Sequence, residues 1–318
     1  MPTGALVANE VSEGEVRPSD PVHSEPASLF ETKASWRHTA VAVCAIASAG
    51  LLSYWFSFKG AFIYDEYPWI IDNLAIRHLW PPWKPMLAGD NASRPLIGLL
   101  DAIDYQISGF EPWSYHLVNL LIHICAGLAL YGIVRRTLLS RRLNARFGKD
   151  SFALGLIVAL IWLVHPLQTQ SVTYVMQRCE SAMGMFYLVC LYSSIRSFES
   201  KRKRLWYACA IAASVGGMLS KQVMVTAPVM VLLYDWVFAT QSLKTSLKKR
   251  WALYAGLAAT WAVLAVTVII SPVNMTAGFA VKSISSLDYF KTQLGVILYY
   301  LRLSLWPNRL CLDYLGWP

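Results

Sequence analysis

Charge is what this sequence has least of. Asp, Glu, Lys and Arg make up only 15% of its 318 residues, and hydrophobic residues make up 56%. A soluble domain carries about 25% charged residues, so a chain folded wholly in water is excluded. Acidic side chains are scarcer than basic ones, 19 against 28, which leaves a formal charge of +9. Paired cysteines are also missing. Cys44, Cys125, Cys179, Cys190, Cys209 and Cys311 show neither zinc-ligand nor disulfide-framework spacing, and most lie in or beside apolar stretches, where Cys acts as a small hydrophobe. There is no internal repeat.

What the sequence has instead is long apolar runs. Residues 39–58, 113–134, 223–239 and 251–271 each approach the roughly 20 apolar residues that cross a bilayer. Shorter candidates lie at 151–165, 180–198, 205–219 and 288–306. The basic residues gather between them. Arg135, Arg136, Arg141, Arg142, Arg146 and Lys149 form one cluster, Lys201, Arg202, Lys203 and Arg204 a second, and Lys244, Lys248, Lys249 and Arg250 a third. Alternate loops are therefore basic, the pattern of cytoplasmic loops in a polytopic protein. That accounts for the net charge and sets nucleic acid aside as a partner.

The expected architecture is an all-α integral membrane bundle of seven or eight helices. Residues 1–36, polar, acidic and proline-bearing, are expected to be a disordered cytoplasmic tail, and 37–318 a single transmembrane domain. The amino terminus then lies inside, and the 59–112 loop lies on the extracytoplasmic side with short juxtamembrane helices. The end at Leu315-Gly316-Trp317-Pro318, with no closing basic tail, points to a longer protein. The expected membrane is a bacterial inner membrane or the endoplasmic reticulum.

Chemistry is expected in the long loop. It holds seven of the 19 acidic residues, among them Asp65 and Glu66 just past the first span. A carboxylate there can act as general base on a hydroxyl. Other polar residues fall at the same end of several helices: Arg94, His116, Asn119, His165, Arg178, Glu180 and Lys221. Ionisable groups at membrane depth face a cavity or a partner, and the arginines and lysine can grip phosphate oxygens. His116, Asn119 and His123 share one helix face. The two histidines stand roughly 10 Å apart along the axis, too far for joint ligation of one ion at about 2 Å, so interhelical hydrogen bonding fits His123 better. Asp235 is expected to pair with a basic loop residue.

Several motifs, in order, resemble the transmembrane part of the membrane-and-tetratricopeptide-repeat O-mannosyltransferases, within the GT-C glycosyltransferases. They are Phe62-Ile63-Tyr64-Asp65-Glu66, Arg94-Pro95-Leu96, Ser114-Tyr115-His116, Asn119-Leu120-Leu121-Ile122-His123 and His165-Pro166-Leu167-Gln168. Gln177-Arg178-Cys179-Glu180, Ser220-Lys221-Gln222, Tyr234-Asp235-Trp236, Trp306-Pro307 and Leu312-Asp313-Tyr314 follow. The resemblance implies a GT-C-like fold and inverting transfer of a mannose-like hexose. The donor it implies is a polyprenyl-phosphate-linked sugar, and the acceptor an extracytoplasmic hydroxyl on protein Ser/Thr or glycan. It implies Asp65 as base, Glu66 as its assistant, and Arg178, Lys221 and Arg94 on the donor phosphate. His116, Asn119, His165 and Glu180 support the site. No metal ligands are assigned, and a divalent cation is left open as a helper. Where the family often has acidic residues, this chain has Gln170 and Gln222. Two further readings use the same residues: a transporter or flippase of lipid-linked glycans, and an inactive membrane scaffold.

Overall fold

The computed structural model describes residues 36–271, 285–308 and 310–312. The expected tail, most of the polar loop at 272–287 and the Asp313-Tyr314 end of the last motif lie outside the described residues.

Regular structure among the described residues is helical throughout. Helix α1 (Trp36–Tyr54) runs on through a 3-10 turn to Lys59, and the first loop carries α2 (Trp83–Leu87) and α3 (Pro95–Ser108). Then come α4 (Trp113–Leu138), the single turn α5 (Asn144–Phe147), α6 (Ser151–Leu163), the short α7 (Thr169–Thr173), α8 (Arg178–Ser197) and α9 (Lys203–Met218). Helix α10 (Ala227–Tyr234) is lengthened by a 3-10 turn before it and a π-turn after it; α11 (Leu243–Lys249), α12 (Trp251–Ile270) and α13 (Ser286–Leu305) complete the order.

The eight helices predicted from apolar runs stand within a few residues of their expected positions. Length and hydropathy qualify four of them as bilayer crossings: Trp36–Lys59, Trp113–Leu138, Gln222–Thr240 and Trp251–Ile270. A fifth arises if Ser151–Leu163 and Pro166–Thr173, bent by 52° at their junction, make one broken span. Helices α8, α9 and α13, also expected to span, fall short of that mark, α9 because it is only 16 residues long and α8 and α13 because polar and charged residues lower their hydropathy. Helix α8 opens on Arg178 and Glu180 and buries Ser193, Ser194 and Ser197, α9 opens on Lys203-Arg204, and α13 carries Asp288, Lys291 and Arg302.

Two of the apolar clusters among the described residues join the long helices. In one, α1, α4 and α6 meet around Ala42, Ile46, Tyr131, Ala159 and Leu163. In the other, α8, α9, α10 and α12 meet around Cys190, Ile195, Ala213, Met224, Val231, Leu253 and Leu257. Helix α4 packs on α8 and so joins them. At the basic end, the expected pairing of Asp235 is with Arg250, whose Nη1 donates to both carboxylate oxygens at 2.8 and 2.9 Å while Tyr254 Oη donates to Asp235 at 2.6 Å.

The first loop is folded rather than loose. Phe62, Ile70, Ile76, Ala102 and Tyr115 bury together with Val175 from the segment before α8. Asn73 caps a turn by accepting from Ala75 N–H at 3.0 Å, and Arg77 donates to Tyr105 Oη at 3.0 Å with its guanidinium over the Phe110 ring. Leu96 N–H donates to Leu219 O at 3.1 Å, which fastens the start of α3 to the turn after α9.

Candidate functional site

The acidic pair after α1 splits into two roles. Tyr64 sits at φ +48°, in the left-handed region that a bulky residue rarely adopts, and from there the chain turns so that Asp65 is exposed while Glu66 is buried. The Asp65 backbone N–H donates to Tyr174 Oη at 3.1 Å. Both Glu66 oxygens are taken by backbone donors, Ile63 N–H at 2.6 Å on Oε2 and Val175 N–H on Oε1. Burial pushes the Glu66 carboxyl up, against the pull of those amides and of the Arg178 charge. Glu66 is thus a clamp between the loop and the segment before α8, and Asp65 is the carboxylate that faces outward.

Arg178 stands apart from its expected place at a ligand surface: it is fully buried. Its Nε donates to Asn119 Oδ1 at 2.7 Å, Nη1 to Asp101 Oδ1 at 2.8 Å and Nη2 to Tyr115 O at 2.8 Å. Asp104 Oδ2 lies 2.7 Å from Nη1, off the hydrogen-bonding direction. Every arm of the guanidinium is therefore turned to protein, and it locks α3, α4 and α8 together. Burial pushes Asp101 up to about 7 against the opposing Arg178 charge, and it raises Asp104 as well. Asn119 completes the knot by donating to Val172 O at 3.2 Å, which ties in α7.

The other two cations differ from Arg178 and from each other. Lys221 makes an ion pair with Glu180 at the start of α8, with both side chains partly open. Arg94 has no carboxylate within ion-pairing reach among the described residues. Its Nη1 meets the Cys179 sulfur at 3.5 Å, and its Cζ lies 5.7 Å from the centre of the Trp69 ring. Trp69 in turn is one turn beyond Asp65, its backbone N–H donating to Asp65 O at 3.2 Å. A continuous path of contacts therefore runs from Asp65 through Trp69 to Arg94, and on to Cys179, next to Glu180 and its partner Lys221. A half-satisfied guanidinium over an aromatic face is suited to an incoming anion.

The remaining expected residues have structural partners or none. His165 Nδ1 accepts from Leu167 N–H at 3.2 Å and caps the turn at the α6–α7 bend. His123 Nε2 bonds Leu163 O at 2.8 Å, between helices, as its position suggested. His116 is buried beside Gly60, with neither ring nitrogen hydrogen-bonded. Two clefts flank α7. One, of about 300 Å³, includes His123, Trp162, Gln168, Ser171, Glu180 and Val223 in its walls. The other, of about 270 Å³, has Ile63, Gln170, Thr173 and Tyr174 beside Tyr300 and Leu312. Sequence reasoning missed Tyr174, Trp69, Asp101 and Asp104. The two carboxylates at i and i+3 in the otherwise apolar α3 were the available signal.

Among the described residues no three His, Cys, Asp or Glu side chains converge as metal ligands. With both Glu66 oxygens held by amides, the acidic pair offers one free carboxylate, so these residues do not fit a two-carboxylate cation seat.

The family model described as dolichyl-phosphate-mannose-protein mannosyltransferase matches residues 90–270, more than half of the chain. Protein O-mannosyl-transferase tmtc2 of Xenopus laevis is 27% identical over 215 residues, covering 62% of this chain and 24% of that protein. Protein O-mannosyl-transferase Tmtc2 of Drosophila melanogaster is 28% identical over 221 residues, covering 64% and 22%. Protein O-mannosyl-transferase TMTC3 of Mus musculus is 27% identical over 176 residues, covering 52% and 18%. The chain thus matches between about a fifth and a quarter of the length of these relatives. No solved structure matches.

Proposed function

We propose that this chain, which belongs to the dolichyl-phosphate-mannose-protein mannosyltransferase family, moves a mannose-like hexose from a polyprenyl-phosphate donor to an extracytoplasmic hydroxyl of a protein or glycan, with inversion. The observation that carries this reading is the outward Asp65 on a buried, clamped loop, joined through Trp69 to the carboxylate-free Arg94.

In this mechanism Asp65 takes the proton of the acceptor hydroxyl as its oxygen bonds to the anomeric carbon. The bond from that carbon to the phosphate oxygen breaks, and its electron pair leaves on the polyprenyl phosphate. Arg94 and Lys221 neutralise the charge that develops there. Lys221 reaches the phosphate by giving up Glu180, which balances its charge while no donor is bound. Arg178 supports the site from below by fixing α3, α4 and α8, rather than by touching donor. The names of the relatives support protein hydroxyls as acceptors.

The test is Asp65→Asn in membranes supplied with dolichyl-phosphate mannose and a Ser/Thr peptide. Loss of a general base lowers transfer by about 100-fold or more, without loss of fold, because the side chain is exposed. Unchanged transfer rejects Asp65 as the base. Donor binding with no turnover by the unaltered protein favours the scaffold reading.

A further inference from the structure

The connector between the apolar spans Gln222–Thr240 and Trp251–Ile270 lies, by its position, at a membrane surface. It is filled by α11, seven residues long. A period of four divides this helix into stripes. Ser242, Ser246 and Arg250 point inward: Ser242 caps the helix by accepting from Thr245 N–H at 3.3 Å, Ser246 meets Thr240, and buried Arg250 grips Asp235. Leu243, Leu247 and Trp251 form a second stripe, and all three are exposed, Trp251 by 69%. Lys244, Thr245, Lys248 and Lys249 form the third, also exposed, and surround a hollow of about 250 Å³. None of these lysines has an ion-pair partner among the described residues.

Three lysines around one hollow, with no carboxylate pairing them among the described residues, leave a net positive seat. Ser246 and Arg250 fasten the helix to the bundle from behind, so the three lysines project from an anchored backbone. The apolar stripe adjoining it is of no use to a water-soluble anion but suits acyl chains. That is the design of an interfacial helix.

We propose that α11 is a binding site for an anionic phospholipid. The headgroup phosphate sits among Lys244, Lys248 and Lys249, with Thr245 Oγ1 as a further donor, and the acyl chains run along Leu243, Leu247 and Trp251. The site is independent of the sugar-transfer reading.

The test uses the full chain in nanodiscs of phosphatidylcholine doped with phosphatidylglycerol, followed by native mass spectrometry of retained lipids. The unaltered protein retains phosphatidylglycerol in preference to phosphatidylcholine. Each Lys→Gln change at 244, 248 or 249 weakens that retention about fivefold, while Lys201→Gln with Lys203→Gln, equal in charge lost to any two of them, leaves it unchanged. Loss of retention in both sets means a diffuse charge effect and overturns the site, as does unchanged retention in both. Displacement of the lipid by millimolar inorganic phosphate marks a free-anion site and overturns the lipid assignment.

Discussion

Glu66 reaches across 109 residues of sequence to accept a hydrogen bond from the backbone N–H of Val175. With Ile63 N–H on its other oxygen, it is the only buried side chain in the Phe62–Tyr67 turn that is polar. Glu66→Gln replaces one acceptor with an NH₂ group that faces a backbone donor. Leaving a buried amide unmet costs about 1–3 kcal/mol. The thermal midpoint in detergent should therefore fall, and transfer should fall with it as the Asp65 turn loosens. A variant as stable as the parent would show that the clamp is dispensable.

Arg178→Met should cost about 3–5 kcal/mol, since it strands Asp101 and Asp104 without their cation. Adding Asp101→Asn and Asp104→Asn should recover part of that loss. Chemical denaturation of the single and triple variants checks this. No recovery in the triple variant would mean that Arg178 acts through packing alone.

Arg94 and Glu180 should move donor affinity in opposite directions. Arg94→Ala removes a charge-assisted contact and should raise the KM for the lipid-phosphate donor by about tenfold or more. Arg94→Lys, which keeps the charge but loses the guanidinium plane, should recover only part. Glu180→Gln releases Lys221 from its ion pair and should lower the same KM several-fold, with kcat nearly unchanged. Initial rates against donor concentration separate these outcomes. A rise in KM for Glu180→Gln would place Glu180 on the substrate instead.

Stability should fall between mildly acid and neutral pH. Burial raises Asp101 from 3.8 to about 7, so the folded protein holds that proton more tightly than the unfolded chain does. The resulting stabilisation is complete below pH 3.8, is lost as pH climbs towards 7, and stays constant above. Asp104 and Glu66 shift the same way, also by burial. Thermal midpoints should therefore be lower at pH 8 than at pH 5, and Asp101→Asn should flatten the difference. A midpoint that rises over this interval would contradict the burial argument.

The helices were legible in the sequence because apolar runs near 20 residues, broken by basic clusters, follow from the thickness of a bilayer. Asp235 was legible for a similar reason, as an acid beside a basic loop. The internal structure of the first loop was not, because Glu66 and Arg178 find their partners at 109, 77 and 59 residues' distance, and no local pattern encodes such pairings. Asp65 and Glu66 look alike in sequence, and only the backbone reversal at Tyr64 makes one a surface group and the other a brace. Arg178 illustrates the same limit. Its position at a helix start suited an anion ligand, and the two acids that claim it belong to another helix.

Helix α7 is five residues long and forms a wall of two clefts at once. A partition that shifts when either chamber fills changes the affinity of the other by one common factor, whichever is filled first. Two molecules held on either side of it would sense each other without touching, through no more than about a turn and a half of backbone.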